Sequence, residues 1–276
     1  MRKRVFALLL TAVLLAACGA EPEKEPEPAG ATELTVHFFD AGKADAILLT
    51  TPDSTLLIDA GERGFGKTIL AYLDEQGIER IDYLIVTHFD KDHVGGMARV
   101  INNIAVGTVL QSNQPKDSEE YEKYVKALAK AGLEAITVRD TYRFELDGVR
   151  CVVDPPRQTA YADDSSNNSS LIVSVANGEN RFLFAGDAQT KRLAEFLDAD
   201  KTAYDVLKVP HHGKEEPLLD ALIASVRPVY AVITSSDEEP ESADVVSALE
   251  RAGATVLLTR NGAVTLHSDG TGITIA

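Results

Sequence analysis

Cysteine is nearly absent from this sequence. The 276 residues include two cysteines, Cys18 and Cys151. Cys18 ends an N-terminal segment that predicts lipidation, as described below, and Cys151 would then have no intrachain partner. A disulfide framework is therefore excluded, and Cys151 is predicted to be a small buried hydrophobic residue. Folding must rest on the core, for which 45% hydrophobic residues are enough, with metal binding as an additional contribution.

Positive charge is also scarce. Lys and Arg number 27 against 43 Asp and Glu, which gives a formal net charge of −16. Tight binding of a nucleic acid backbone depends on Lys and Arg that release counterions. We therefore expect no tight, sequence-specific binding of nucleic acid. The charge is still compatible with an enzyme whose metal ions neutralise a substrate phosphate locally.

Long hydrophobic runs are missing except at the N-terminus. Residues 5–17 form an apolar run of 13 residues behind a basic start, Arg2-Lys3-Arg4. This run is shorter than the roughly 20 residues that cross a bilayer, and it predicts a signal peptide at residues 1–17. The sequence Leu15-Ala16-Ala17-Cys18 resembles a bacterial lipobox, so Cys18 is the predicted lipidation site. A secretory peptide cleaved at another position is the alternative.

The residues after Cys18 separate this anchor from the rest of the chain. Residues 18–32 are rich in Pro and Glu and predict a stiffened, polar linker. The folded domain is predicted at residues 33–276. We expect an extracytoplasmic protein that is held on a bacterial membrane by its lipid anchor. The sequence indicates no obligate protein partner, and it lacks the apolar segments that a transport channel needs.

Apolar segments of strand length alternate with helical patterns through the domain. Their order predicts an α/β (α+β) fold in which two sheets pack face to face with helices outside, a four-layer αββα sandwich. Helices are predicted at 67–76, from 97, and at 117–131, 188–197, 216–225 and 241–252. Strands are predicted at 34–39, 46–50, 56–59, 81–86, 106–110, 134–138, 142–145, 150–153, 171–175, 181–184, 204–208, 229–233, 254–258, 263–267 and 271–275.

A cluster of metal-capable side chains follows the predicted strand 81–86. His88, Asp90, Asp92 and His93 lie within six residues, followed by Gly95-Gly96 and a helical pattern. Open α/β sheets bind ligands at the carboxyl ends of their strands. This stretch therefore predicts one half of a metal site.

Two later strands end in further residues of the same types. Asp187 follows the strand 181–184, and His211-His212 follow the strand 204–208. Alone, Asp187 would be expected to cap a helix, and a histidine pair would be expected to be structural. Three strand ends that carry His and Asp together, however, have the geometry that a dinuclear site requires.

These motifs resemble the metallo-β-lactamase fold superfamily, and within it the hydrolase domain of ComEC-type competence proteins and their free-standing lipoprotein relatives. The matching segments are 37–46, 57–61, 87–96, 167–171, 186–187 and 208–214. The resemblance implies a metal-dependent hydrolase with two divalent ions, Zn²⁺ or Mn²⁺, that share an activated hydroxide. It favours a phosphodiester or nucleotide substrate, with DNA as one example.

The resemblance also implies a role for each matching residue. His88 and Asp90 would hold the first ion, Asp92 and His93 the second, and Asp187 would bridge both. Asp92 and Asp187 are the predicted catalytic residues. Either His211 or His212 would complete the second site, and we favour His211. Substrate contact or support of the site is expected from His212, Lys214, Asn167, Asn168, Asp40, Asp45 and Asp59.

Several positions depart from the family pattern. Asp90 replaces the His of most of the superfamily, as is normal in the ComEC-like branch, and Lys214 replaces the usual Ser. Lys43-Ala44 replaces Gln-Gly, and Glu239-Pro240 stands where relatives often carry His-Pro. Candidate phosphate contacts are Lys191, Lys208 and Lys214. The alternative functions are a lactonase or β-lactamase on the same fold and a non-catalytic, metal-binding surface lipoprotein.

Overall fold

The computed structural model describes residues 31–161 and 166–276. The predicted signal peptide, the lipidation site Cys18 and the linker up to residue 30 lie outside the described residues and stay predictions. Part of the predicted polar loop, residues 163–165, also lies outside them. The first described strand begins at Leu34, one residue after the predicted start of the domain.

The described residues form fifteen strands and seven α-helices. The strands are β1 (Leu34–Phe38), β2 (Ile47–Thr50), β3 (Thr55–Ile58), β4 (Arg80–Val86), β5 (Ala105–Gln111), β6 (Ile136–Thr137), β7 (Tyr142–Leu146), β8 (Val149–Asp154), β9 (Ile172–Asn177), β10 (Asn180–Phe184), β11 (Val206–Lys208), β12 (Tyr230–Ile233), β13 (Thr255–Leu258), β14 (Val264–Ser268) and β15 (Ile273–Ile275). The helices are α1 (Gly66–Glu75), α2 (Lys91–Val94), α3 (Met97–Asn103), α4 (Glu119–Ala131), α5 (Thr190–Ala199), α6 (Leu219–Val226) and α7 (Ala243–Arg251).

The strands form two mixed sheets. The first has the order β15-β14-β1-β2-β3-β4-β5-β6, and the second has the order β13-β12-β11-β10-β9-β8-β7. In the first sheet the antiparallel meander β1-β2-β3 continues into parallel pairs from β3 to β6. In the second sheet antiparallel pairs from β7 to β10 continue into parallel pairs from β10 to β13.

A hydrophobic core fills the space between the two sheets. Strand β8 shows how the sequence produces it, because Val149, Cys151 and Val153 are buried while the alternate residues are partly exposed, as the two-residue period of a strand requires. Phe38 of the first sheet contacts Phe184 of the second, with ring centroids 6.0 Å apart. Cys151 is 1% exposed, which confirms its predicted burial.

The helices cover the outer faces of the sheets. The buried residues of α1, α3 and α4 pack against the first sheet, as Leu73 and Met97 do. Those of α5, α6 and α7 pack against the second sheet, as Phe196 and Leu249 do. The arrangement confirms the predicted αββα sandwich.

The sequence patterns predicted the presence of the helices and strands more accurately than the residues at which they begin and end. The predicted strand 134–138 shortens to β6, which has two residues and pairs with β5 alone. Because β6 lies at the edge of its sheet and pairs with one strand, few hydrogen bonds are available to lengthen it. Among the described residues, no helix has the length and apolar character needed to cross a membrane.

Parallel pairing gathers several strand ends at one edge of the sandwich. In the first sheet β3 and β4 run parallel, and they are followed by Asp59 and by Thr87-His88. In the second sheet β10, β11 and β12 run parallel. The residues that follow these three strands therefore emerge beside one another, facing the ends of β3 and β4.

Candidate metal centre

The loop after β4 carries the first part of the candidate site. Asp90 lies directly before the one-turn helix α2, whose Asp92 and His93 are both buried. Two glycines let this turn approach the loop after β3, because a Cβ on Gly96 would lie 2.1 Å from the backbone oxygen of Ala60. The pattern Asp-x-Asp-His-x-Gly-Gly thus combines ligand-type side chains with the close backbone contact that positions them.

Four side chains converge where the two sheets meet. Single ligand-type atoms of Asp92, His93, Asp187 and His212 all lie within 4.8 Å of one another. Asp187 stands at the centre of this group. Its Oδ1 is 3.3 Å from Nε2 of His93, and its Oδ2 is 3.2 Å from Nε2 of His212. Asp92 Oδ2 lies 3.5 Å from the same His212 nitrogen.

His88 and Asp90 extend this group on one side. The ring centroids of His88 and His93 are 4.1 Å apart, and His88 Nε2 lies 3.8 Å from Oδ1 of Asp90. His88 is fully buried, whereas the side chain of Asp90 is 24% exposed. The structure therefore brings together five of the six residues predicted from sequence as metal ligands, which are His88, Asp90, Asp92, His93 and Asp187.

The sixth, His211, lies outside the group of converging side chains, and its neighbour His212 lies within it. Nδ1 of His211 lies 3.0 Å from Glu216 Oε1, and its Nε2 lies 3.3 Å from Asn167 Nδ2. His212 is instead the histidine that reaches Asp187 and Asp92, and its Nδ1 lies 3.0 Å from the backbone oxygen of Thr234. The preference for His211 over His212 is therefore corrected by the geometry: the two successive left-handed residues, with φ of 51° and 53°, direct their side chains to different neighbours.

Strained backbone is concentrated at this site. Among the described residues, five non-glycine residues have positive φ, and Asp59, His211 and His212 are three of them. Such conformations cost about 1–3 kcal/mol each and persist where the surrounding structure requires them. Here the strained residues are the ones that place or support the converging side chains.

Two buried carboxylates lie next to the Nδ1 atoms of the converging histidines, Asp59 at His93 and Asp45 at His212. Asp59 accepts hydrogen bonds from the backbone nitrogen of Thr87 at 2.9 Å and from its hydroxyl at 2.6 Å, and its Oδ2 lies 2.8 Å from Nδ1 of His93. Asp45 accepts a 2.7 Å hydrogen bond from Thr234 Oγ1 and contacts the buried ammonium group of Lys208. Asp40, the third aspartate in this predicted group, is exposed.

The buried polar atoms at the centre of the site test its fit to a metal ion. Nε2 of His88, His93 and His212 and Oδ1 of Asp187 are buried and have no hydrogen-bond partner among the described residues. A buried polar atom without a partner costs free energy, and imidazole nitrogens and carboxylate oxygens are ligands for divalent metals. The side chains present therefore fit a divalent metal centre.

The electrostatics agree with this fit. Burial lowers the pKa of His88 to about 4, so its ring is neutral, as a metal ligand must be. Burial alone would raise the pKa of Asp92 and of Asp187, but the neighbouring histidines hold both below their ordinary value. Burial would also lower the pKa of His93, yet the carboxylates of Asp187 and Asp59 raise it well above its ordinary value. These buried carboxylates are ionised and require nearby positive charge, which a protonated His93 supplies and which a divalent ion would supply in its place.

The other residues predicted from sequence lie at varied distances from this group. Asn167 lines the pocket in front of the carboxylates, whereas Asn168 is buried and accepts a hydrogen bond from the backbone nitrogen of Arg192 at 3.1 Å. Lys208 is fully buried against Asp45 and Asp187, which excludes the predicted contact with a substrate phosphate. Lys191 and Lys214 are partly exposed and do not line that pocket.

Two lysines at the site were not among the site residues predicted from sequence. Lys43 Nζ lies 3.0 Å from Asp92 Oδ2, and Lys116 Nζ lies 2.7 Å from Asp90 Oδ1. Both line the same pocket of about 410 Å³. Lys43 could have been found, because it replaces the family's Gln in a loop near the site. Lys116 lies in the loop between β5 and α4 and has no motif to mark it.

Comparison with known proteins identifies relatives over most of the chain. The sequence model of the Metallo-beta-lactamase superfamily matches residues 40–235. The competence protein ComA of Neisseria gonorrhoeae is 28% identical over 235 residues, which cover 84% of this chain and 30% of that protein. Recombination protein 2 of Haemophilus influenzae is 27% identical over 221 residues, which cover 78% of this chain and 26% of that protein.

These matches confirm the resemblance to competence proteins. The chain spans about a quarter to a third of the length of these two relatives. Among solved structures, the metallo-beta-lactamase fold protein YhfI of Bacillus subtilis superposes with a TM-score of 0.57 at 10% identity and covers 82% of this chain and 96% of that one. At this identity the likeness concerns the fold.

Proposed function

Because the chain belongs to the metallo-beta-lactamase superfamily, we propose that it is a metal-dependent hydrolase that cleaves phosphodiesters in DNA or nucleotides outside the cytoplasm. The observation that carries the proposal is the convergence of Asp92, His93, Asp187 and His212 within 4.8 Å, next to His88 and Asp90. Four buried atoms of this group, Nε2 of His88, His93 and His212 and Oδ1 of Asp187, have no hydrogen-bond partner among the described residues.

We assign the metal ligands from this geometry. His88 and Asp90 would hold one divalent ion, Asp92, His93 and His212 would hold a second, and the central Asp187 would contact both. Divalent ions in such a centre, Zn²⁺ or Mn²⁺ by its mixed nitrogen and oxygen ligands, supply Lewis acidity and lower the pKa of bound water towards neutrality. The proposed ligand set contains His212 in place of His211. Its other members are those predicted from sequence.

The protein's own groups would orient the attacking water and receive its proton. Asp92 is 12% exposed and faces the pocket, and it is ionised because His212 and His93 lower its pKa against the effect of burial. Its carboxylate can therefore orient an attacking water and accept its proton. Asp59 fixes the ring of His93 through Nδ1, which leaves Nε2 directed at the centre.

A phosphodiester substrate is supported by two observations. The pocket in front of Asp90 and Asp92 is lined by lysines as well as carboxylates, so a site neutralised by metal ions would attract an anionic ester. The two relatives described above are named for competence and for recombination, and recombination acts on DNA, a phosphodiester polymer. The net charge of −16 fits short or transient contact with such a substrate rather than tight binding.

A three-substrate comparison tests the proposal. Metal-depleted protein is reconstituted with Zn²⁺ or Mn²⁺, its metal content is measured, and it is assayed with bis-p-nitrophenyl phosphate, nitrocefin and a homoserine lactone. We expect metal-dependent hydrolysis of the phosphodiester alone. Ring opening without phosphodiester cleavage would support a lactonase or β-lactamase instead, and no turnover of any ester would support a non-catalytic metal-binding lipoprotein.

We further propose that the domain is anchored to the outside of a bacterial membrane through a lipid on Cys18. The proposal is supported by the basic start, the apolar run of 13 residues and the Leu15-Ala16-Ala17-Cys18 sequence. Expression of the full chain followed by membrane fractionation and mass spectrometry of the N-terminal peptide tests it. We expect the wild-type chain in the membrane fraction with an acylated Cys18, and the Cys18→Ser chain without the lipid.

A further inference from the structure

Two lysines form ion pairs with two carboxylates that line the pocket at the candidate metal centre. Lys43 contacts Asp92, with a side chain that is 18% exposed, and Lys116 contacts Asp90, with a side chain that is 37% exposed. Lys43 belongs to the loop between β1 and β2, and Lys116 to the loop between β5 and α4. The loop that carries Asp90 and Asp92 thus receives one ammonium group from each of two separate loops.

Neither lysine is explained by support of the fold alone. Asp59 holds the ring of His93, and Thr234 holds the ring of His212, without either lysine. A third lysine in the pocket, Lys91, shows the ordinary arrangement for a surface residue: its side chain is 72% exposed and its Nζ lies 3.2 Å from Oε1 of Glu62. Lys43 and Lys116 instead turn towards the centre of the site.

Divalent ions held by the candidate ligands would change the sign of the charge in the pocket. Of the described residues, three lysines and four carboxylates line it. With metal ions held by Asp90 and Asp92, the negative charge of these carboxylates would be neutralised, and the partly buried ammonium groups of Lys43 and Lys116 would need another anion. The pocket of about 410 Å³ has the size of a small-ligand site, which suits the end of a nucleotide chain.

We propose that Lys43 and Lys116 form a clamp for a terminal phosphate that accompanies the scissile ester, so that the enzyme prefers short or end-bound phosphodiesters with a phosphorylated end, for which a 5′-phosphate is the probe. This inference rests on the proposed function. The ester that is cleaved would lie at the candidate metal ligands, and the two ammonium groups would hold the second anionic group. The clamp selects substrates by a charge that neutral esters and unphosphorylated ends lack.

A pair of dinucleotides that differ in one phosphate tests the clamp. The metal-loaded protein is assayed with thymidine dinucleotide and with the same dinucleotide carrying a 5′-phosphate. The variants are Lys43→Gln, Lys116→Gln and their combination, with Lys91→Gln as the matched control from the same pocket and Lys43→Arg as the conservative replacement. Metal content is measured for every variant.

We expect the wild-type protein to favour the phosphorylated dinucleotide by at least about tenfold in kcat/KM, because hydrogen bonds between charged groups change affinity by about that factor. The double Gln variant should lose this preference mainly through KM, whereas Lys91→Gln and Lys43→Arg should keep it. Equal kcat/KM for the two dinucleotides in the wild-type protein, or an equal loss in Lys91→Gln, would overturn the clamp.

A binding measurement separates failure of the clamp from failure of the proposed function. If neither dinucleotide is cleaved, the proposed phosphodiesterase activity fails, and calorimetric titration of the metal-loaded protein with inorganic phosphate still decides the inference. About tenfold weaker phosphate binding by each Gln variant, with Lys91→Gln unchanged, supports the clamp. Equal affinity in the wild-type protein and the double variant overturns it.

Discussion

Asp59 Oδ2 lies 2.8 Å from Nδ1 of His93, and both side chains are fully buried. The aspartate follows β3 and the histidine belongs to α2, so the contact joins two consecutive strand-end loops of the first sheet. A carboxylate behind a ligating histidine fixes the ring and raises its basicity. Asp59 is thereby part of the metal centre, although its carboxylate does not face the pocket.

Replacing Asp59 by Asn should weaken metal binding without removing a ligand. The amide keeps the shape of the side chain but lacks the charge that favours a proton on Nδ1 of His93. Metal affinity should fall by about 10–100-fold, as measured by competition with a chromogenic chelator. Asp40→Asn is the control, because Asp40 is exposed; equal affinities of Asp59→Asn and wild-type protein would refute this supporting role.

The two adjacent histidines provide a matched pair of variants. His212→Ala should lower the metal content by about one ion per chain, because it removes a ligand, and should abolish turnover. His211→Ala should retain the metal, since the ring of His211 contacts Glu216 and Asn167. Elemental analysis of both proteins checks the assignment, and the reverse result would restore His211 as the ligand.

Asp92→Asn should separate catalysis from folding. The substitution alters a group that is proposed both to hold a metal ion and to orient the attacking water and accept its proton, and groups that accept such a proton contribute about 10²–10⁴-fold to rates. Thermal unfolding should show a retained fold, and turnover of bis-p-nitrophenyl phosphate should fall within that range. Asp117→Asn serves as the control, because Asp117 is exposed and lies between Lys116 and Ser118, which line the same pocket. Wild-type turnover in Asp92→Asn would refute the assignment.

Arg192 should make a large contribution to stability. Its side chain is fully buried, with Nε donating to the backbone oxygen of Ser170 at 2.9 Å and Nη2 donating to the backbone oxygen of Asp154 at 2.8 Å. Arg192→Met leaves these acceptors without a donor and should lower the free energy of unfolding by about 2–4 kcal/mol. Urea denaturation measures the change.

The matched control for this experiment is Arg157, whose half-exposed side chain pairs with Asp198 at 2.8 Å. Exposed ion pairs contribute about 0–1 kcal/mol, so Arg157→Met should change stability little. A similar loss in both variants would mean that burial of Arg192 does not explain its effect.

The fold was predictable because its signals are local. Alternating burial, as in Val149, Cys151 and Val153, follows from the two-residue period of a strand, and Gly95-Gly96 marks the close contact of two loops. The ligand-type residues of the 87–96 stretch occur in one short segment, so the sequence itself places them together. Asp187 could be predicted to belong to the same site because it also follows a buried strand.

The remaining features of the site depend on tertiary geometry. The choice between His211 and His212 is made by backbone torsions of 51° and 53°, which no residue pattern encodes. Lys116 reaches Asp90 across 26 positions of sequence, and nothing near it in the chain indicates that contact. Lys208 looked available for a phosphate, but β11 is buried throughout and directs it inward to Asp45.

The most direct test of the central claim is bis-p-nitrophenyl phosphate hydrolysis measured on one sample before chelation, after chelation and after reconstitution with Zn²⁺ or Mn²⁺, with the metal content determined at each stage. The account predicts that hydrolysis disappears with the metal, returns with it, and does not return in Asp187→Asn, whose central carboxylate is lost. Fully metal-loaded wild-type protein that cleaves no phosphodiester, or an Asp187→Asn variant that cleaves it at the wild-type rate, would contradict the account.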